Sequence, residues 1–423
     1  MKKLFSLLLI LPLLFYCTPE NNNKNNNAAE TDTEADDVYN PNEAIPVDQL
    51  PAEIHSGDVL QATNPNVQKF LDEVTYVDKD YKTTHVIEYY GGYNAVDPIP
   101  EGGFNSDIPC SYTIRWESNP NGNQLRYVLT ESEDDWSINR KVHPGWGYIV
   151  VTNLVPKTTY TYSLTDTKTK EVVAEGTFTT TGSLHQVFFE PKGRNARDLG
   201  GWITTDGKQV RYHKIYRGGR FQTGEVSTQG KKDAYREGIR AQLDLRGKSD
   251  VLAKPALKTF DFCAPIIEQG GMTMLYDVNS ETGKNRTAQC FEFIVNSLRE
   301  NKPVYFHCSL GRDRTGTLGI LLLGLLGVPQ HDIAKEYELT YFAPYGWSVS
   351  QGEQSGTEDT WVFRNTLDKW VFSDVAPYFW SMAPKTENAT FADGVENYLK
   401  TVAGVSQEDI DDFRRIMLKD VAE

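Results

Sequence analysis

Residues 303–328 read PVYFHCSLGRDRTGTLGILLLGLLGV, and this stretch decides the fold of the chain around it. Apolar, β-prone residues run into His307 and Cys308, a short polar loop follows, and a long aliphatic segment comes after Gly316. This pattern predicts a β-strand, a loop and a buried helix in succession. A loop between a strand and a helix N-terminus is a favourable place for an anion-binding site.

The polar loop carries residue types that suit covalent chemistry on an anion. Backbone N–H groups of such a loop point into one concavity, and the helix N-terminus adds partial positive charge. Cys308 at the start of the loop lies in this field, which favours its nucleophilic thiolate form. The planar guanidinium of Arg314 can bind two oxygens of a phosphate or sulfate, and the hydroxyl of Thr315 can donate to the sulfur. Gly311 and Gly316 supply the backbone freedom that a tight loop needs.

The other cysteines have a simpler interpretation. A buried cysteine is most often a small apolar side chain, and we apply this to Cys263 and Cys290, although a disulfide between them stays open. Cys110 has no assigned role. Cys308 differs, because His307 precedes it and Arg-Thr-Gly follows it after five residues, in a strand–loop–helix context. Such a combination favours a functional role.

Residues 307–316, His-Cys-Ser-Leu-Gly-Arg-Asp-Arg-Thr-Gly, resemble the His-Cys-x5-Arg-Ser/Thr signature of the Cys-dependent protein tyrosine phosphatase superfamily. They look most like the bacterial tyrosine/serine phosphatase branch, which usually has Lys at the position of Arg312. Residues 195–201, Asn-Ala-Arg-Asp-Leu-Gly-Gly, and 244–246, Asp-Leu-Arg, also resemble motifs of that branch. The resemblance implies that residues 184–423 form an α/β phosphatase domain with a central sheet flanked by helices.

The resemblance implies a two-step hydrolysis of phosphate monoesters, most often of phosphotyrosine and in some members also of phosphoserine or phosphothreonine. Cys308 attacks phosphorus to form a phosphocysteine, and water then releases phosphate, without a metal or an organic cofactor. His307 orders the loop and favours the thiolate, and Thr315 assists the departure of the sulfur. The phosphate oxygens are held by Ser309, Leu310, Gly311, Arg312, Asp313 and Arg314.

The general acid has two candidates. Asp313 lies inside the loop, as in the branch that this chain resembles. Asp277 lies well upstream of Cys308, where many superfamily members carry the acid. Either carboxyl must come within hydrogen-bond reach of the ester oxygen. We prefer Asp313 and keep Asp277 as the alternative.

Asp244 and Arg246 are possible substrate contacts, because they end a predicted strand and the ligand crevice of an α/β sheet lies at the carboxyl ends of its strands. The alternative is a buried ion pair that supports the loop. Phosphotyrosine needs a deep slot with aromatic walls, whereas inositol phosphates or phosphoinositides need extra cations. The candidate cations are Arg217, Arg220, Arg246 and Arg312.

The chain of 423 residues is too long for one ordinary core, so we expect two domains and tails. Its net charge of −15 argues against nucleic acid as a partner. The expected partners are a phosphorylated protein or a small phosphate ester, together with a membrane. No His/Cys cluster has the spacing of a metal site.

The membrane expectation comes from residues 1–17. Two lysines precede an apolar run that ends at Cys17, and this run is too short to span a bilayer, so it predicts a secretory signal. With Cys at the boundary it resembles a lipoprotein signal in which Cys17 is lipidated. Plain secretion and an uncleaved anchor are the alternatives. The implied location is a bacterial cell envelope.

Residues 18–79 are polar and rich in Asn and Glu, and they predict a flexible tether with a short helical lead-in near 66–71. Residues 80–183 instead alternate apolar and polar residues between Pro, Gly and Asn turns, which predicts an all-β sandwich. The predicted strands are 85–90, 110–116, 124–129, 147–152, 159–164 and 175–180.

The end of the predicted sandwich resembles a fibronectin type III, immunoglobulin-like module. Residues 153–162 contain its Leu-x-Pro-x-Thr-x-Tyr pattern, with Tyr160 as a buried tyrosine and Trp116 in the core. Such a module is a structural or docking unit. A non-enzymatic surface protein is therefore the alternative from another functional class. A rhodanese-like sulfur transferase is disfavoured by the Arg-Thr-Gly exit of the loop.

Residues 342–390 contain many Trp, Tyr and Phe residues among Gly, Ser and Pro. Such clusters are most often part of a core, and a lid or a wall beside the site is the alternative.

Overall fold

The structure is a computed structural model. It describes residues 47–73, 106–117, 119, 121–132, 136–142, 145, 147–190, 193–221, 226–246, 281–343, 347–349, 361–363 and 375–421. Several predictions lie wholly or partly outside these residues: the signal with Cys17, residues 18–46 of the tether, the strand 85–90, Cys263, Asp277 and much of the aromatic segment 342–390. No helix within the described ranges is both long enough and apolar enough to cross a membrane.

The described residues between 47 and 181, which we call the N-terminal β-region, include a five-stranded and a two-stranded sheet. The strands are β1 (Val59–Gln61), β2 (Tyr112–Arg115), β3 (Leu125–Glu131), β4 (Ser137–Val142), β5 (Tyr148–Val151), β6 (Thr159–Asp166) and β7 (Val172–Thr181). The larger sheet has the order β1-β7-β6-β3-β4, and β2 pairs with β5. The β1–β7 pair is parallel, and the other pairs are antiparallel.

Both sheets contribute to one hydrophobic core. Ile114 and Ile149 come from the smaller sheet, and Tyr127 and Leu164 come from the larger one. Burial alternates along β3 and β6, as period-two sequence predicts. The hydroxyl of Tyr160 accepts a hydrogen bond from the backbone N–H of Val155 at 2.8 Å. The buried hydroxyl is thus satisfied within the region.

Two strands differ from the sequence predictions. β1 and the following helix α1 (Pro65–Glu73) lie in the stretch assigned to the tether and its lead-in, but β1 extends the larger sheet. β4 was not predicted, because its sequence SINRKV has polar residues on both faces, as edge strands often do. The fibronectin type III-like class stays a prediction, since residues 74–105 are not described.

The second sheet carries the motif with Cys308. Its strands are β8 (Arg197–Asp198), β10 (Ile215–Gly218), β11 (Ala241–Asp244) and β12 (Val304–His307), and a separate strand β9 (Lys208–Val210) lies between β8 and β10 in the chain. The order is β11-β12-β10-β8, with β8 antiparallel and the other three strands parallel. Every residue of the three parallel strands is buried, as expected for a sheet covered on both faces.

Helices pack around this sheet. They are α2 (Thr228–Arg236), α3 (Glu281–Arg299), α4 (Asp313–Leu325), α5 (Gln330–Glu338), α6 (Ala376–Ser381), α7 (Phe391–Tyr398) and α8 (Gln407–Met417), with short turns of other helix types at Val47–Gln49, Leu339–Phe342 and Leu399–Ala403. Every residue of α4 is buried. A helix that is apolar all round belongs inside a core, so the predicted mixed α/β architecture is observed here.

The C-terminal part closes the core. Ser406 caps α8 by accepting from the backbone N–H of Asp409. In the aromatic segment, Phe342 and Phe379 are buried, which favours the core interpretation for these two. The remaining strands are β13 (Trp347–Val349), which pairs with β14 (Trp361–Phe363), and β15 (Leu418–Asp420), which pairs with β9.

Candidate active site

The loop after β12 connects Cys308 to α4, so the predicted strand, loop and helix are all present. β12 ends at His307 and α4 begins at Asp313. Cys308 is a free thiol and only 2% exposed. In the sheet, His307 lies beside Gly218 and Asp244, the last residues of β10 and β11. The loop therefore sits at the carboxyl edge of the parallel strands, where α/β folds bind ligands.

His307 fixes the peptide of Cys308 as a neutral imidazole. The side-chain amide of Gln242 donates to the main-chain oxygen of Phe221 at 2.7 Å and to Nε2 of His307 at 2.8 Å. Nδ1 of His307 is then the protonated nitrogen, and it donates to the main-chain oxygen of Cys308 at 3.0 Å. Burial lowers the pKa of His307, which favours the neutral form of the ring. The ring orders the loop without carrying a charge.

The carbonyl groups of the loop are held by residues outside it. Nδ2 of Asn195 donates to the main-chain oxygens of Leu310 at 3.0 Å and Gly311 at 3.2 Å. The guanidinium of Arg217 also donates to the oxygen of Gly311. Because the N–H and C=O of a peptide point in opposite directions, anchored carbonyls orient the adjacent N–H groups the other way. Such an arrangement suits a backbone cradle for an anion.

A buried ion-pair network holds these donors. Glu336 in α5 accepts from Nε of Arg197 and from Nη1 of Arg217, both at 2.7 Å. Nη1 of Arg197 in turn donates to Oδ1 of Asn195 at 2.7 Å. Burial lowers the pKa of Arg197 to about 10, with Glu336 opposing this shift. One carboxylate thus aligns both groups that bind the loop.

Arg314 and Thr315 lie in the first turn of α4. Arg314 is buried, and its Nη1 donates to the main-chain oxygen of Leu245 at 3.4 Å. The hydroxyl of Thr315 is buried and has no hydrogen-bond partner among the described residues. Burying a hydroxyl without a hydrogen-bond partner is costly.

Asp313 begins α4 and is largely buried. Its Oδ1 accepts from Nε of Arg312 at 3.2 Å. The side chain of Arg312 is fully buried, so it is not an exposed cation for a second phosphate group. The rival acid, Asp277, lies outside the described residues.

Two of the other candidate cations, Arg217 and Arg246, are bound to carboxylates. Arg217 is fully buried in the network described above, which argues against it as a candidate cation for further phosphate groups. Arg246 forms an ion pair with Asp244 at 2.7 Å, so the structure shows the supporting pair of the alternative interpretation. Arg220 is partly buried, and its backbone N–H donates to the main-chain oxygen of Ser309 at 3.1 Å.

The sequence did not single out Glu336 or Gln242. Glu336 lies on the inward face of α5 between Ile333 and Tyr337. An acidic residue at such a position indicates a buried carboxylate that is paired with a cation. Gln242 lies in the middle of β11, a fully buried strand, where an amide side chain needs partners.

His185, His213 and Glu237 form a buried cluster at the border with the N-terminal β-region. Their ligand-type atoms lie within 4.8 Å of one another. This cluster was not predicted from the sequence, because its three residues are far apart in the chain. Each ring nitrogen already faces a hydrogen-bonding oxygen. The four oxygens belong to Asp198 and main-chain Asn153 around His185, and to Tyr216 and Glu131 around His213.

These features place a buried cysteine in the loop between β12 and α4 of an α/β domain, with the loop carbonyls bound from outside. The chain belongs to the tyrosine phosphatase family, whose model matches residues 190–419, more than half of the chain. A protein of Cupriavidus necator with the name "Putative tyrosine-protein phosphatase" is 27% identical over 162 residues. The match covers 34% of this chain and 59% of that relative, so the chain spans about three fifths of the relative's length.

Proposed function

We propose that this protein hydrolyses phosphate monoesters through a phosphocysteine on Cys308, with phosphotyrosine in proteins as the main substrate and phosphoserine or phosphothreonine as further substrates. The observation that carries the proposal is the loop from Cys308 to Arg314. Its carbonyls at Leu310 and Gly311 are bound from outside by Asn195 and Arg217. Membership of the tyrosine phosphatase family supports the reaction type.

In the first step, the Cys308 thiolate attacks phosphorus, the S–P bond forms and the P–O bond to the substrate breaks. The leaving oxygen takes a proton from an acid, for which Asp313 is proposed. In the second step, water attacks phosphorus, the S–P bond breaks and inorganic phosphate leaves. The same carboxylate accepts the proton from water, and Cys308 returns as the thiolate.

The loop amides and the guanidinium of Arg314 stabilise the equatorial oxygens of the phosphoryl group, where negative charge concentrates. Thr315 suits the second step, since its buried hydroxyl can donate to the departing sulfur. Asp313 suits the acid role because it lies in the first turn of α4, next to Arg314, which is proposed to bind the phosphoryl group.

The burial of the arginines favours phosphotyrosine over inositol phosphates. Arg217, Arg246 and Arg312 are each at most 3% exposed and bound to carboxylates. They are therefore poorly suited to bind additional phosphate groups of a polyphosphorylated ring. Hydrolysis of inositol phosphates or phosphoinositides is the alternative hypothesis for the same site.

Export is part of the proposal. The signal-like residues 1–17 support a membrane-anchored protein with Cys17 as the lipidated residue. Metabolic labelling with a fatty-acid analogue tests this, because Cys17→Ser should remove the label.

The decisive experiment combines a substrate panel with trapping of the intermediate. Purified protein and Cys308→Ser are compared on a phosphotyrosine peptide, a phosphoserine peptide and inositol hexakisphosphate. We expect turnover of the phosphotyrosine peptide that Cys308→Ser and orthovanadate abolish. Mass spectrometry after acid quenching should find a phosphoryl group on the peptide that contains Cys308. A protein without any such turnover would support the non-enzymatic binding alternative.

A further inference from the structure

Asp107 connects the N-terminal β-region to the segment that supports the loop. It is 6% exposed and lies outside residues 190–419, which match the family. Its carboxylate accepts hydrogen bonds from Nε and Nη2 of Arg194 and, at 2.7 Å, from the backbone N–H of Asn195. Its own backbone N–H donates to the main-chain oxygen of Phe342 at 3.1 Å. Asp107 is therefore fixed at both its main chain and its side chain.

The peptide that Asp107 binds belongs to Asn195. Asn195 has φ 56°, in the left-handed region where asparagine is enriched among residues other than glycine. Because the side chain of Asn195 binds the oxygens of Leu310 and Gly311, any movement of its backbone reaches the loop directly.

We propose that Asp107 is a positioning residue for the anion-binding loop, acting through Arg194 and Asn195. The N-terminal β-region then helps to position the anion-binding loop, in addition to any docking role. This inference rests on the proposed function, because it assigns Asp107 a role in the same site.

The variant Asp107→Asn tests the role. Its side chain keeps the size of the carboxylate but loses the charge that binds Arg194, and an amide can accept fewer of the hydrogen bonds. Displacing reacting groups by about 1 Å can cost about 100-fold in rate. We expect kcat/KM to fall by about tenfold or more, and the Kd of tungstate, a phosphate-like oxyanion, to rise in parallel.

Tungstate binding separates positioning from general damage. A merely unstable variant loses active molecules, which lowers kcat but leaves KM and the tungstate Kd of the folded fraction unchanged.

The matched control is Asp166→Asn, at a buried carboxylate of the N-terminal β-region that also accepts four hydrogen bonds. The donors are Asn119, Asn123 and the backbone N–H groups of Lys168 and Thr169. We expect this control to lose stability and to keep its KM and its tungstate Kd.

Calorimetry with tungstate and a steady-state assay on one phosphotyrosine peptide are both run on the full chain. A folded Asp107→Asn protein with the wild-type KM and tungstate Kd would overturn the inference. If Asp107→Asn does not fold, Asp107→Asn/Arg194→Met removes both partners of the ion pair and is measured in the same way. Wild-type protein that binds tungstate but hydrolyses no ester refutes the proposed function alone, since the tungstate comparison still decides the role of Asp107. Wild-type protein that does neither refutes both.

Discussion

The α-carbon of Gly311 faces the backbone of Gly218 so closely that a methyl group on Gly311 would overlap the Gly218 carbonyl. Gly311 also has φ 72°, in the left-handed region. The loop with Cys308 can therefore pass the end of β10 only if this residue is glycine.

Gly311→Ala should displace the loop and lower kcat/KM by about 100-fold, because the amides that hold the phosphoryl oxygens move with it. Steady-state kinetics on a phosphotyrosine peptide measure this. The control is Gly404→Ala, since Gly404 has φ 80° but faces open space. It should cost about 1–2 kcal/mol of stability and leave kcat/KM unchanged. Equal kinetic losses in both variants would contradict the role of the close approach.

Glu336→Gln should destabilise the protein by about 3 kcal/mol, because Arg197 and Arg217 then stay buried without their shared counter-charge. Urea unfolding measures the change. Glu300→Gln is the comparison, since Glu300 is 62% exposed where it pairs with Lys302. Its stability should change by less than about 0.5 kcal/mol. A Glu336→Gln protein as stable as Glu300→Gln would show that the network contributes little.

The strand, loop and helix around Cys308 could be predicted because local sequence specifies each of them. The apolar run of β12, the glycines of the loop and the apolar faces of α4 all lie within residues 303–328. The residues that hold the loop could not be predicted in this way. Asn195 binds Gly311 across 116 positions, and Arg197 binds Glu336 across 139. The spacing of apolar residues within a helix or a strand carries no information about contacts between residues so far apart in the chain.

The arginines show a second reason why the supports of the loop could not be predicted from sequence. From sequence alone an arginine is expected at the surface, because burying its charge is costly. Arg217 is buried nevertheless, since Glu336 and the main-chain oxygen of Gly311 bind its guanidinium. Its role as a support for the loop depends on partners that only the fold brings together.

The buried cluster around Glu237 should make stability depend on pH. Burial raises the pKa of Glu237 to about 7, from an ordinary value of 4.5. Between these values the folded protein keeps a proton that the unfolded chain loses, so this group lowers stability as pH rises to about 7. Burial, the largest influence, lowers the pKa of His213, but Glu131, Glu237 and Asp198 together raise it. Its contribution is likewise lost as pH rises through the folded-state pKa.

Glu237→Gln mimics the protonated acid and should flatten this dependence. The measurement is the difference in unfolding free energy between wild type and variant from pH 5 to pH 8. We expect the variant to gain stability relative to wild type as pH rises, with the gain levelling off above about pH 7. A difference that is independent of pH would show that Glu237 ionises normally in the folded protein.

The general acid can be identified from the dependence of the rate on the leaving group. If Asp313 protonates the leaving oxygen, Asp313→Asn should slow phenyl phosphate, a poor leaving group, by about 100-fold or more. It should slow p-nitrophenyl phosphate much less, because that leaving group departs without a proton. The decline of kcat/KM at high pH should also disappear in this variant. Asp277→Asn, measured beside it, should keep the pH profile and the leaving-group dependence of the wild type. If the two variants exchange these behaviours, Asp277 is the acid, and Asp313 instead holds Arg312 in place at the start of α4.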